Sequence, residues 1–270
     1  MCGLCGFTGE IIDRDAVLEN MTEVITHRGP DSKGFYTDDK ISMGFRRLSI
    51  IDLDNGSQPI YNEDKTLVLM FNGEIYNYKQ LRKELQEKGH VFATDTDSEV
   101  LVHGFEEWRE DLLNRLRGMF GFAIWNRTDE SLFIARDFFG IKPMHYTQVG
   151  GHFLYASEIK SILKFPGFEK KFNYRTLDNY LSFQYAVPPE TFFEGVYCLL
   201  PGHYLWYRDG KVETTRYWEA RFNPDESLTE EQAVDEIEKV FEESVNAHKI
   251  SDVEVGCFLS SGVDSSYVST

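Results

Sequence analysis

Cysteine at position 2 is the first residue whose chemistry stands out, because trimming Met1 would place a thiol and a free α-amine on one terminal residue. Such a residue carries both a nucleophile and a base. An α-amine titrates near ~7.7–8.0 and an unperturbed thiol near ~8.5, so a proton passes between them at small cost in either direction. Cys5 completes a C-x-x-C with Cys2, which raises a redox pair or half of a zinc site as alternatives. A zinc site needs a second ligand pair, and the sequence has no other C-x-x-C or close Cys/His pairing. If residues 2–7 form a strand, positions three apart point to opposite faces and the two sulfurs diverge. A cysteine in second place is usually incidental; the segments that follow give this one weight.

Those segments must be positioned by a globular body. The chain has 270 residues, 41% of them hydrophobic, enough for one large domain or one domain and part of another. Its formal net charge of −17 argues against a nucleic acid or an anionic membrane as partner and leaves small molecules. No apolar run reaches about eighteen residues, so no helix is expected to span a bilayer. The opening residues Met1 to Phe7 lack the basic start and apolar stretch of a signal peptide, so the cytoplasm is the expected location. The four cysteines, at 2, 5, 198 and 257, are too few and too scattered for a disulfide framework. Association into a homodimer is compatible with this composition.

Residues 2–7 read as an opening strand and 14–26 as a helix, from the spacing of Ala16, Val17, Met21, Val24 and Ile25. The helix stops at His27-Arg28-Gly29-Pro30-Asp31-Ser32, a tight loop holding a cation and an anion. Short strands are expected at 35–36, 41–45, 48–51 and 66–72, the last ending in a polar turn at Asn72-Gly73-Glu74. Helices follow at 78–88 and 98–108, with Asp97 placed to cap the second. Strands at 120–125 and 132–135, short helices at 157–164 and 174–183, and a hairpin closed at Asp209-Gly210 complete an α+β body of stacked sheets.

Asn223-Pro224-Asp225-Glu226-Ser227 breaks regular structure and marks a domain boundary, giving domains at 2–222 and 223–270. Thr229-Glu230-Glu231-Gln232 is a capping box opening a helix. A core strand at 253–259 is expected to run into Ser260-Ser261-Gly262-Val263-Asp264-Ser265-Ser266. Strand, small-residue loop and helix start together make a phosphate cradle. One strand and two helices do not close a doubly wound domain, so the second domain is expected to be the truncated start of a longer one.

Read together and in order, these segments resemble a known family. Met1-Cys2-Gly3, His27-Arg28-Gly29-Pro30-Asp31, Arg47-Leu48-Ser49-Ile50, Asn72-Gly73-Glu74-Ile75-Tyr76-Asn77, Thr96-Asp97-Ser98-Glu99 and Gly118-Met119-Phe120-Gly121-Phe122-Ala123 resemble the class II glutamine amidotransferase domain. Ala135 to Pro143 and Ser157-Glu158-Ile159-Lys160 match it too, and Leu259 to Ser265 is similar to the pyrophosphate loop of glutamine-hydrolysing asparagine synthases.

The resemblance implies a four-layer αββα N-terminal-nucleophile hydrolase fold, followed by a truncated α/β segment of ATP pyrophosphatase type. It implies hydrolysis of L-glutamine to glutamate and ammonia, with Cys2 as nucleophile, its own α-amine as base, and Asn72 and Gly73 as the oxyanion hole. Glutamine is a zwitterion, and Arg47 suits its carboxylate while Asp97 and Glu74 suit its ammonium. Ile50 and Ile51 complete the implied substrate-binding set. Arg46-Arg47 could otherwise be an exposed strand edge. His27 and Arg28 read as residues that hold the loop rather than react.

For the second domain the resemblance implies ATP binding through Leu259, Ser260, Ser261, Gly262, Asp264 and Ser265, with Asp264 a Mg²⁺ ligand. Ammonia would then attack an adenylylated aspartate, giving asparagine, AMP and pyrophosphate. Neither cofactor is implied for the glutaminase step. The loop departs from the family at Ser261, where glycine is usual and a side chain could force an unfavourable backbone angle. The alternatives are the same glutaminase joined to a different amide-forming synthetase, or a non-catalytic binding or storage member of the fold.

Overall fold

A computed structural model describes residues 1–52 and 56–270. Among these, two six-stranded antiparallel sheets form the body. The chain runs β1 (Gly3–Thr8), α1 (Arg14–Glu23), β2 (Ser32–Thr37), β3 (Ile41–Arg47), β4 (Ile60–Tyr61), β5 (Leu67–Ile75), α2 (Tyr78–Glu87) and α3 (Glu99–Trp108). It continues through β6 (Gly118–Asn126), β7 (Ser131–Arg136), β8 (His145–Val149), β9 (His152–Ala156), α4 (Ile159–Ile162) and α5 (Tyr174–Phe183). β10 (Tyr197–Cys198), β11 (His203–Arg208), β12 (Lys211–Arg216), α6 (Glu230–His248) and α7 (Val263–Ser269) complete it. One sheet has the order β10-β8-β9-β1-β3-β2, the other β12-β11-β7-β6-β5-β4.

Three apolar clusters separate four layers. Leu4, Met43 and Phe45 of the first sheet meet Val68, Met70, Ala123 and Ile134 of the second. Alternate residues of β5, Leu67, Leu69 and Phe71, turn instead toward Leu81, Leu85, Val100 and Phe105 of α2 and α3. Cys5 and Phe7 pack on the other outer face with Leu18, Met21 and Ile162 of α1 and α4. A strand wedged between layers buries both its faces, which is why β5 reads as a continuous apolar run. Each such side chain contributes about 1.5–3 kcal/mol of burial.

Several sequence-based expectations are corrected. Residues 48–51 form no strand, because the main-chain groups of Leu48, Ile50 and Ile51 bond to Cys2, Asp252 and Arg47 instead of to a ladder. Asn72-Gly73-Glu74 is not a turn: β5 continues to Ile75, each residue paired to β6. The helix expected at 157–164 is the single turn Ile159–Ile162. The hairpin β8–β9 was not anticipated, although Gly150 and Gly151 at its tip both have positive φ (56° and 88°). The β11–β12 turn forms as expected, with Asp209 and Gly210 at φ 50° and 75°.

Beyond residue 222 the capping box closes at both ends: Gln232 N–H donates to Thr229 Oγ1 and Thr229 N–H to the Gln232 side chain. Residues 253–259 are exposed and form no strand, since a lone extended segment has no partner to pair with.

Candidate active site

Cys2 sits at the mouth of β1, where its sulfur accepts from Leu48 N–H at 3.4 Å and lies 3.5 Å from Leu48 O. Its carbonyl is clamped by Arg28 Nε at 2.8 Å, and Arg28 Nη1 continues to Glu158 Oε1 at 3.0 Å, which His27 Nε2 also meets at 2.8 Å. Arg28 thus braces the main chain that carries the thiol, and His27 meets the same Glu158 carboxylate. Burial pushes the Cys2 thiol up, opposed by the Leu48 bond, so it rests protonated at neutral pH. Cys5 points to the opposite face, fully buried against Thr22 Oγ1 at 3.4 Å, with its thiol pushed up to about 12 by burial. The two sulfurs belong to different layers, which removes the redox and zinc readings of the C-x-x-C.

A cavity of about 260 Å³ opens beside Cys2. Its wall includes Arg47, Ile50, Ile51, Asn72, Gly73, Glu74 and Asp97. One pocket thus collects every residue expected for nucleophile, oxyanion hole and glutamine binding. It also has Met1, Gln58, Met119, Ile141 and Lys142 in its lining, to which the sequence reading gave no role.

The edge of β5 explains two of these placements. Backbone N–H groups alternate along a strand, so those of 71, 73 and 75 face away from β6. Gln58 Oε1 takes Phe71 N–H at 2.6 Å, while its Nε2 donates to Phe71 O at 2.9 Å. Asp97 Oδ2 takes Ile75 N–H at 2.8 Å. Between them the Gly73 N–H is left pointing along the same edge toward the cavity. A Cβ at Gly73 would collide with the Met119 carbonyl oxygen, so the backbone approaches β6 as only glycine permits.

Beside it, Asn72 is 1% exposed, and its side-chain Nδ2 has no hydrogen-bond partner among the described residues. A buried, unspent amide donor costs about 1–3 kcal/mol, so its retention in a cavity wall needs a reason.

The charged groups are buried as well. Asp97 does not cap α3; Ser98 holds that position, and burial raises the Asp97 carboxyl to about 7, helped by nearby Glu74 and opposed by the Ile75 bond. Burial likewise raises Glu74, opposed by Lys142, and lowers Lys142, opposed by Glu74 and Cys2. Arg46 and Arg47 are both buried rather than lying on an exposed edge. Arg46 pairs with Glu23, and Arg47 faces the cavity, its Nη2 donating to Ile51 O at 3.1 Å and Asp52 O at 2.6 Å. Lys142 is carried by a loop that Asp137 organises through the N–H groups of Phe139, Ile141 and Lys142.

The loop expected to cradle phosphate is exposed. Ser260 N–H donates to Ser265 Oγ at 3.2 Å, the Ser260 and Ser265 hydroxyls lie 3.0 Å apart, and Ser261 holds φ 62°, the left-handed angle that glycine would take without strain.

A family profile described as glutamine amidotransferase domain matches residues 1–218, and one described as asparagine synthase matches 236–270. The chain is 42% identical to asparagine synthetase [glutamine-hydrolyzing] 1 of Bacillus subtilis over 98% of its own length and 43% of that protein. It is 35% identical to amidase chyE of Penicillium rubens over 97% of its length and 38% of that protein. It therefore spans less than half the length of these curated relatives. The structure of glutamine phosphoribosylpyrophosphate amidotransferase from B. subtilis superposes with a TM-score of 0.60 at 20% identity, covering 81% of this chain and 50% of that one, which supports the four-layer αββα N-terminal-nucleophile fold. On the family match and the pocket built around Cys2, this chain belongs to the glutamine amidotransferase domain family.

Proposed function

We propose that the Cys2 pocket hydrolyses the side-chain amide of L-glutamine to glutamate and ammonia. The observation that carries this reading is the unspent Asn72 Nδ2, buried in the cavity wall beside the Gly73 N–H edge and the Cys2 thiol. Two donors set before any charge arrives are what a tetrahedral oxyanion requires.

The thiol adds to the amide carbonyl, and the oxyanion forms against Asn72 Nδ2 and Gly73 N–H. Collapse breaks the C–N bond and leaves a γ-glutamyl thioester on Cys2 with ammonia released; water then cleaves the thioester. The thiol rests protonated, so a base must take its proton and return it to the leaving nitrogen. Here the α-amine belongs to Met1, and burial, with Arg28 and Lys142 nearby, lowers it. Removal of Met1 would transfer that amine to Cys2 itself, on the atom adjoining the nucleophile's own carbon. Arg47 receives the substrate carboxylate, Asp97 and Glu74 its ammonium, and Ile50 and Ile51 flank its apolar stem.

Domains at 2–222 and 223–270 are supported by the gap between the two family matches. In the second, Ser260, Ser261, Gly262 and Ser265 offer hydroxyl and amide donors suited to phosphate oxygens, and Asp264 a carboxylate suited to Mg²⁺. The full activity we infer is ATP-dependent amidation of aspartate by the released ammonia, in the cytoplasm, the nucleotide serving to activate the acceptor. Because the chain spans only 43% of the asparagine synthetase it matches, a second reading has the same glutaminase feed a different acceptor. Glutamate release by the purified chain, abolished in Cys2→Ala and unchanged in Cys5→Ser, tests the glutaminase step; equal rates in Cys2→Ala would end it.

A further inference from the structure

Around α3, Glu63, His90, His103 and Glu106 each offer one ligand atom, all four within 4.8 Å of one another. They come from three stretches: the β4–β5 turn, the connection after α2, and one face of α3. Glu63 stands between two imidazoles, 3.2 Å from His90 Nδ1 through Oε1 and 3.2 Å from His103 Nδ1 through Oε2. Each ring directs its other nitrogen to a further carboxylate: His103 Nε2 to Glu99 Oε1 at 3.3 Å, and His90 Nε2 toward Glu107 Oε2 at 3.8 Å.

A neutral imidazole has one N–H. His90 Nδ1 can spend its N–H on Glu63 Oε1 at 3.2 Å, but if Glu99 takes the N–H of His103, the His103 Nδ1 lone pair faces Glu63 Oε2 with nothing between them but repulsion. His103 is 1% exposed, and its Nδ1 makes no hydrogen bond of acceptable geometry among the described residues. Glu99 is fixed by Ala93 N–H, Thr94 N–H and the Thr94 hydroxyl, so its hold on Nε2 is rigid.

We propose that Glu63, His90, His103 and Glu106 bind a divalent metal ion of the zinc class. Carboxylate–imidazole–metal triads orient both rings, and two nitrogens with two carboxylate oxygens suit Zn²⁺. Ligands about 2.0–2.1 Å from zinc lie roughly 3.3–3.5 Å apart in a tetrahedron, so the four ligand atoms, now within 4.8 Å of one another, need only small side-chain shifts to close on an ion. Four protein ligands close the coordination sphere, which makes the ion a structural clamp. It ties the β4–β5 turn to α3 and steadies, through Glu99, the segment that presents Asp97.

The test is calorimetric titration of the chelator-treated chain with Zn²⁺ alone, beside thermal melts. One equivalent should bind and raise Tm as free Zn²⁺ rises. Glu63→Gln and His90→Gln should weaken binding at least ~100-fold while retaining native circular dichroism. Glu99→Gln, which leaves all four ligands in place, should weaken it about 10–100-fold. Co²⁺ in place of Zn²⁺ should give the intense visible bands of a four-coordinate centre. Unchanged binding in Glu63→Gln and His90→Gln, binding lost instead in Cys257→Ser, or a proton found on His103 Nδ1 by NMR at saturating Zn²⁺ would each overturn the proposal.

Discussion

Asn72 and Asp97 are buried at a cost that substrate would recover. Truncating Asn72 to alanine removes one of the two proposed oxyanion donors and should lower kcat about 10²–10³-fold with little change in KM. Asp97, raised to about 7, binds an ammonium only when ionised, so the KM for glutamine should fall as pH rises through about 7. In Asp97→Asn that dependence should vanish and KM should rise. The sign for stability is opposite. A carboxyl whose folded pKa lies above its unfolded ~3.9 favours the fold below pH 4, and the benefit is lost as pH climbs toward 7. Urea titrations at pH 4 and pH 8 should show the native chain losing several kcal/mol relative to Asp97→Asn, because each tenfold change in proton affinity on folding is worth about 1.4 kcal/mol.

Within the elements, the β5–β6 ladder sets the spacing of Asn72 and Gly73, the proposed oxyanion donors. A methyl at Gly73 meets the Met119 carbonyl, so Gly73→Ala should lower stability by about 1–3 kcal/mol and depress kcat together, read by melting and steady-state rates. Much of this layer was legible in the sequence. The apolar run at 67–71 announced a core strand, and Asp209-Gly210 announced its hairpin. What misled was local pattern without its partners. Leu48-Ser49-Ile50-Ile51 alternates like a strand, yet its backbone serves the Cys2 sulfur and the Arg47 guanidinium. β8 and β9 carry mixed polar residues, and only Gly150-Gly151 signalled them. Asp97 had the offset of a cap, but its bond to Ile75 depends on a contact 22 residues away in sequence. Gln58 imitates a strand residue with its side-chain amide, which no spacing rule reveals.

Across the molecule, the segment after residue 222 touches the pocket rim. Asp252 Oδ2 accepts from Asp52 N–H at 2.7 Å, and Asp252 N–H donates to Ile50 O at 3.0 Å. His248 packs on Tyr76 with ring centroids 4.5 Å apart, and Arg117 pairs with Glu243 at 2.5 Å. The cavity rim at Ile50 and Ile51 is thereby tied to the segment matched by the asparagine synthase family. Asp252→Ala should loosen residues 50–52 and raise the KM for glutamine several-fold while sparing kcat, a split that steady-state kinetics reads directly. The family and the order of its motifs were legible at this scale; the tie between segments was not, because it rests on main-chain groups rather than residue types.

The reaction proposed here turns on the sulfur of a terminal Cys2 forming the bond to substrate. Mass spectrometry of acid-quenched chain after a brief pulse of L-glutamine measures this most directly. A γ-glutamyl adduct confined to Cys2, present in chain lacking Met1 and absent from chain that retains it, is the predicted result. Undiminished glutamate release from Cys2→Ala, or an adduct on any other residue, would contradict it.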